Sequence, residues 1–139
     1  MRCLLDTNVI SELRKPPRRR SAAFNRWADG LVPPLTYLSV ITVLELRRGI
    51  ELVRRSDRGR AEVLDGWLLG EILVAYSGRL LDVDMAVADV AARLHVPDPQ
   101  PSHDALLAAT AQVHGLTIAT RNTADFEPMR VNTVNPWAE

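Results

Sequence analysis

Short apolar runs alternate along this chain with longer segments whose apolar residues recur at helical spacing, and that alternation restricts the fold more than any other feature. Cys3-Leu4-Leu5 is followed by Asn8 to Arg14, with Val9, Ile10 and Leu13 on one helical face. Pro16-Pro17 stops that helix, and Ser21 caps a second one carrying Ala22, Phe24, Trp27 and Ala28 as far as Gly30 and Pro33-Pro34. Leu35 to Leu38 reads as a second strand. It leads into a helix that starts at Ser39 or Thr42 and buries Leu44, Leu46, Ile50, Leu52 and Val53. Thr42-Val43-Leu44-Glu45 has the form of a capping box, which places Glu45 in the first turn. Ser56 to Ser77 is a further helix, Leu80-Leu81-Asp82-Val83 a short apolar step, and Met85 to about His95 another helix. Pro97, Pro99 and Pro101 form a rigid connector, after which Ser102 caps a helix from Asp104 to His114 that Gly115 ends. Thr117-Ile118-Ala119 and Val131 to Val134 complete the strands.

This order predicts an α/β fold, a central and mostly parallel sheet with helices on both faces, in a single domain covering residues 1–139. Ligands of such sheets bind beyond the carboxyl ends of the strands. Four acids fall at that class of position. Asp6 ends the first strand, Glu45 and Asp104 lie near helix starts, and Asp125 follows the strand at Thr117 by a few residues. Acids at helix N-termini also stabilise the helix dipole with no ligand at all. Asp6 is the harder one to read that way, because it closes an apolar strand and is flanked by Thr7 and Asn8, which can fix its orientation. If the sheet gathers all four, a divalent cation relieves their repulsion. Oxygen donors without histidine or cysteine favour magnesium or manganese over zinc.

Composition narrows the alternatives. A lone Cys3 forms no internal disulfide and anchors no thiolate zinc site. No apolar run approaches a membrane span, and MRCLLDTNVI carries an aspartate where a signal peptide would stay apolar, so a cytoplasmic protein is expected. The formal net charge of +0 hides a division: residues 14–60 hold twelve of the basic side chains against four acidic ones. Nearly all the basic residues are arginines, whose planar fork suits phosphate or carboxylate. Arg14, Lys15, Arg18, Arg19 and Arg20 follow directly on the helix after Asp6. They are candidates for contacting a polyanion such as RNA, the alternatives being a solvated surface or an acidic partner.

Four segments resemble one family. Leu4-Leu5-Asp6-Thr7-Asn8-Val9-Ile10-Ser11-Glu12-Leu13 is similar to the opening of PIN-domain ribonucleases, specifically VapC-type toxins of the FitB-like subgroup. Ser39 to Gly49, Asp104 to Ala111 and Thr120-Arg121-Asn122-Thr123-Ala124-Asp125-Phe126 resemble the second, third and fourth motifs, in the family's order. The resemblance implies a PIN-like three-layer α/β/α sandwich and carries the family's acids onto Asp6, Glu45 and Asp104. At the fourth position many members have aspartate where this chain has Asn122. Asp125, about one turn further on, is taken as the fourth acid, with Asn122 orienting a ligand or water.

Carboxylates that hold one or two magnesium ions can orient a water, lower its pKa and stabilise charge on a phosphodiester. Thr7, Asn8 and Thr120 would then position the acids. The resemblance also implies a homodimer, higher assembly with a VapB-like antitoxin whose C-terminal segment occupies the groove, and cleavage of RNA, often transfer RNA, to halt translation. Two other readings compete. One is a non-catalytic PIN-fold module binding RNA or protein, with a decayed metal site, prompted by Asn122. The other is a phosphotransfer enzyme with Asp6 as covalent nucleophile, which would call for a second aspartate where Asn8 stands. His95, His103 and His114 read as polar residues at helix ends, and Trp27, Trp67 and Trp137 as packing residues.

Overall fold

The computed structural model describes residues 1–138. Its sheet has five parallel strands in the order β3-β2-β1-β4-β5. These are β1 (Cys3–Leu5), β2 (Thr36–Ser39), β3 (Leu80–Leu81), β4 (Thr117–Ala119) and β5 (Thr133–Val134). Between them run α1 (Thr7–Arg14), α2 (Ala22–Asp29), α3 (Val40–Arg54), α4 (Arg58–Trp67), α5 (Leu73–Ala75), α6 (Met85–Leu94), α7 (Ser102–His114) and α8 (Thr123–Phe126). Leu68–Ile72 makes a π-helical stretch joining α4 to α5, so the helix expected over 56–77 is continuous but wider at its centre.

Every residue of β1 is buried, and the pleat sends its side chains to opposite faces. Cys3 and Leu5 pack with Val9, Ile10, Phe24, Leu38, Leu46 and Ile50 on one side. Leu4 packs on the other with Ile118, Ala105, Leu107, Ala108 and Phe126. Both sheet faces are therefore covered, as a parallel sheet requires. Phe24 also stacks obliquely on Trp27 and Trp137, with ring centroids 5.6 and 4.8 Å away.

Caps fix where the helices begin. The side chains of Ser21, Asp57 and Asp84 accept the N–H groups of Phe24, Arg60 and Val87. Gly115 ends α7 in the left-handed conformation, φ 65°, which costs glycine nothing. On α3 the inward face carries Thr42, Leu46 and Ile50, one turn apart. Leu44 and Leu52, expected inside, lie two positions off that row and are 46% and 57% exposed.

Candidate active site

The chain lays down β2 and β3 on one side of β1, then crosses to lay down β4 and β5 on the other. The turns after β1 and β4 thus meet where the strand order reverses, the place where open α/β sheets form their ligand crevice. Asp6 sits in the first of these turns, only 8% exposed. It caps α1, its Oδ1 accepting the Thr7 N–H at 2.8 Å, while Oδ2 accepts the Thr120 hydroxyl at 2.7 Å. Thr120 Oγ1 accepts the Asn122 N–H at 3.1 Å and the Asn8 amide at 3.5 Å, and Asn8 Oδ1 accepts the Arg121 N–H at 3.2 Å. The turns after β1 and β4 are cross-linked by these polar bonds, with Asp6 at their centre.

Thr7 orients a second acid. Its hydroxyl donates to Glu45 Oε1 at 2.9 Å, and the other oxygen of Glu45 lies 3.6 Å from His103 Nδ1 at the start of α7. One turn before Glu45 on the same face of α3 is Thr42, fully buried, whose hydroxyl has no hydrogen-bond partner among the described residues.

Electrostatics connects all four acids. Burial pushes the Asp6 carboxyl above the ordinary aspartate range; the Thr120 and Thr7 hydrogen bonds work against that, and the charges of Glu45 and Asp125 add to it. Asp104 is raised as well, first by burial and then by the charges of Asp125, Asp6 and Glu45, with His103 opposing. Four segments distant in sequence therefore place their carboxylates within one another's field. That is a site with an excess of negative charge and a demand for a cation.

The sequence profile of the PIN domain matches residues 3–130. The chain belongs to the PIN-domain family. It is 41% identical over 141 residues to Toxin FitB of Neisseria gonorrhoeae, across 96% of this chain and 97% of that protein. It is 37% identical over 139 residues to VapC ribonuclease Y4jK of Sinorhizobium fredii, across 96% of each. Among solved structures, FitAcB from Neisseria gonorrhoeae superposes with a TM-score of 0.88 at 37% identity over 99% of both chains.

Within this PIN domain several sequence expectations need correction. Glu45 lies in the second turn of α3, because β2 runs straight into the helix: the Ser39 hydroxyl caps it by accepting the Ile41 N–H at 3.0 Å. No capping box forms, and Thr42 becomes an interior position. Ser102 is the first residue of α7 and not its cap; Pro101, held extended at φ −54° and ψ 132°, precedes the helix, and its carbonyl accepts the Ala105 N–H. Asn122 is exposed and makes no side-chain cap bond, its link to the site being the backbone N–H on Thr120. Asp125 is exposed in α8, yet its charge reaches both Asp6 and Asp104.

The basic run divides. Arg20 is committed to α1, its guanidinium donating to the carbonyls of Glu12 at 3.2 Å and Leu13 at 2.6 Å. Lys15 pairs with Glu12 at 2.7 Å, and Arg14 lies over the Trp67 ring at 5.8 Å. Arg18 and Arg19 stand exposed. His103, read from sequence as a polar residue at a helix end, lies beside Glu45 at the site. The sequence signal for that role is its place immediately before Asp104, at a helix start that a proline precedes.

Proposed function

We propose that this chain is the toxin of a toxin–antitoxin pair and works as a ribonuclease, hydrolysing RNA phosphodiester bonds at Asp6, Glu45, Asp104 and Asp125. The observation that carries this reading is the convergence of carboxylates from four separate segments: Asp6 and Asp104, each raised first by burial, are both raised further by the charges of Glu45 and Asp125. A fold does not keep such repulsion at a crevice for stability's sake.

PIN-domain ribonucleases depend on a metal, and the donor set here suits magnesium, with manganese as a substitute. Among the described residues no three histidine, cysteine or acidic side chains form a ready cage. Magnesium needs none, since it commonly takes one or two carboxylates and keeps several waters. Asp6 and Asp104 would hold the metal most directly. When bound, it supplies a polarised water and neutralises charge on the phosphate.

The protein's own contribution is orientation. The Thr7 N–H and the Thr120 hydroxyl fix both oxygens of Asp6, so the carboxylate cannot turn away from the crevice. The Thr7 hydroxyl holds Glu45 at one oxygen, leaving the other on the His103 side to take the proton of the attacking water, with Asp125 completing the donor set. Asn8 steadies the Arg121 backbone and the Thr120 hydroxyl. In this reading the partners are a second copy of the chain and a VapB-like antitoxin, the substrate pool is cytoplasmic and includes transfer RNA, and translation stops when it is cut. No helix among the described residues is long and apolar enough to cross a membrane.

The test incubates the chain and its Asp6→Asn variant with an RNA pool, with and without magnesium and without antitoxin. Cleavage that requires the metal and disappears in the variant is the expected result. RNA bound but left intact by both proteins would favour the non-catalytic module, and a phosphate covalently attached at Asp6 would favour phosphotransfer.

A further inference from the structure

The acidic cluster is short of positive charge. Carboxylates raise both Asp6 and Asp104, with His103 opposing at Asp104. A polyanion entering the crevice therefore needs attraction from basic side chains beside the cluster, in addition to any metal. Much of the basic run after α1 is engaged elsewhere: Arg20 on helix carbonyls, Lys15 on Glu12 and Arg14 on the Trp67 ring.

Arg121 reaches the crevice from another direction. It follows β4 directly after Thr120, whose hydroxyl holds Asp6, and Asn8 Oδ1 fixes its backbone N–H at 3.2 Å. Trp137 lies shortly after β5. Ala119 and Val134 are parallel partners, so the segments beyond them leave the sheet side by side at its carboxyl edge. There the Arg121 guanidinium lies over the Trp137 ring, 4.9 Å from its centroid. Trp137 is held in turn by Phe24, with ring centroids 4.8 Å apart, and by Asn135 Oδ1, which accepts its backbone N–H at 2.9 Å. The ring is a fixed platform under an exposed side chain.

That contact places the guanidinium without consuming its donors. A ring face attracts the charge of an arginine, while the N–H groups lie in the guanidinium plane and need acceptors at its edge. Among the described residues none of them meets an acceptor, and no carboxylate pairs with the group. A planar fork held in place with its donors unused is suited to a phosphate.

We propose that Arg121, seated on Trp137, binds a phosphate next to the scissile one in the RNA strand that crosses the crevice, a reading that rests on the ribonuclease function above. Its role is substrate binding, with no part in proton transfer. Ordering on Trp137 before the strand arrives lowers the entropy lost on docking. A phosphate is favoured over a protein carboxylate because the adjoining acids act on phosphodiesters.

Steady-state cleavage of a fluorescent single-stranded RNA with magnesium, across a range of salt and pH, tests this. Arg121→Gln keeps a stem over the ring and removes the charge. It should lower kcat/KM roughly three- to tenfold through KM with kcat held. It should also flatten the slope of log(kcat/KM) against log[salt] by about 0.7. Arg121→Lys should keep the parent's salt slope and recover only part of KM, because an ammonium carries the charge without the fork. In both variants the acid limb of the pH–rate profile should stay that of the parent, since Thr120 still holds Asp6. Arg93→Ala, exposed on α6, should match the parent throughout. If the parent cleaves RNA and Arg121→Gln keeps its KM and salt slope, the phosphate contact is wrong and the ribonuclease reading stands. A moved acid limb or a lowered melting temperature, with the salt slope kept, would make Arg121 a support for the turn and overturn the proposal. Inhibition of the parent by poly-glutamate, lost in Arg121→Gln while KM for RNA is unchanged, would assign the fork to an acidic protein and overturn it as well. If the parent cleaves no RNA, the ribonuclease reading falls and takes the contact with it.

Discussion

Arg20 belongs to a basic run that sequence alone offers to RNA, and the structure gives it a different task whose size can be worked out. Its guanidinium donates to the Leu13 carbonyl at 2.6 Å, to the Glu12 carbonyl at 3.2 Å and to Asn25 Oδ1 at 3.5 Å, and it lies 5.8 Å from the Phe24 ring centroid. Leu13 and Glu12 are in the last turn of α1, where carbonyls lack helical partners and the dipole favours a cation. A hydrogen bond from a charged donor contributes about 1.5–3 kcal/mol. The Glu12 carbonyl already accepts the Lys15 N–H, so its second bond counts for less, and the Asn25 contact sits at the edge of bonding distance. Arg20→Ala should therefore cost about 2–3 kcal/mol. For a chain of 139 residues that corresponds to a fall of roughly 10 °C in Tm. Urea unfolding should show a lower midpoint with unchanged m, and Arg20→Lys should recover less than half, since an ammonium cannot span both carbonyls with one planar fork. The salt dependence of RNA cleavage should stay that of the parent. A variant within about 0.5 kcal/mol of the parent, or one that weakens RNA binding at an unchanged Tm, would refute this assignment.

Asp6 and Asp104 both have folded-state pKa values above their unfolded ones. Their destabilising effect is absent below the ordinary carboxylate range, grows as pH rises from that range to the raised values and is complete above them. The urea midpoint of the metal-free chain minus that of Asp104→Asn should accordingly become more favourable as pH falls from neutral towards the carboxylate range; a difference that worsens instead contradicts the shifts. Thr120→Val removes the hydroxyl that holds the Asp6 pKa down, so the acid limb of the pH–rate profile should move to higher pH and activity should fall. Thr120→Ser should restore both. Thr42→Val replaces a buried hydroxyl lacking a protein partner with a methyl of the same shape, and should leave metal-free stability within about 0.5 kcal/mol or raise it. A loss of about 1–3 kcal/mol would instead show that the hydroxyl is satisfied through bound water.

Local pattern and long-range geometry were not equally readable in this chain. Cys3-Leu4-Leu5 ending at Asp6 marks a strand and its functional end at once, because three apolar residues halted by a carboxylate have few other uses. Apolar runs likewise mark three more strands, though Val131 to Val134 shrinks to Thr133–Val134 and Leu35 to Leu38 shifts to Thr36–Ser39, while Leu80-Leu81, read only as a short apolar step, pairs with β2 as the fifth. Pattern misleads where two local signals compete. Ser39 and Thr42 can each cap α3, and the winner is decided by the strand in front of it, which pairs with β3 through Ser39 and leaves no loop for a later start. That single choice moves Glu45 to the second turn and buries Thr42. What sequence could not show is which residues share a surface. Arg14 meets Trp67, His103 meets Glu45, and Arg20 turns back onto the end of α1, all through contacts set by how α1, α3, α4 and α7 pack on the sheet. The near-neutral composition is the bulk trace of that arrangement. Acids gather after β1 and β4 and on the adjoining turns of α3 and α7 while the basic run follows α1, and their sum says little about either.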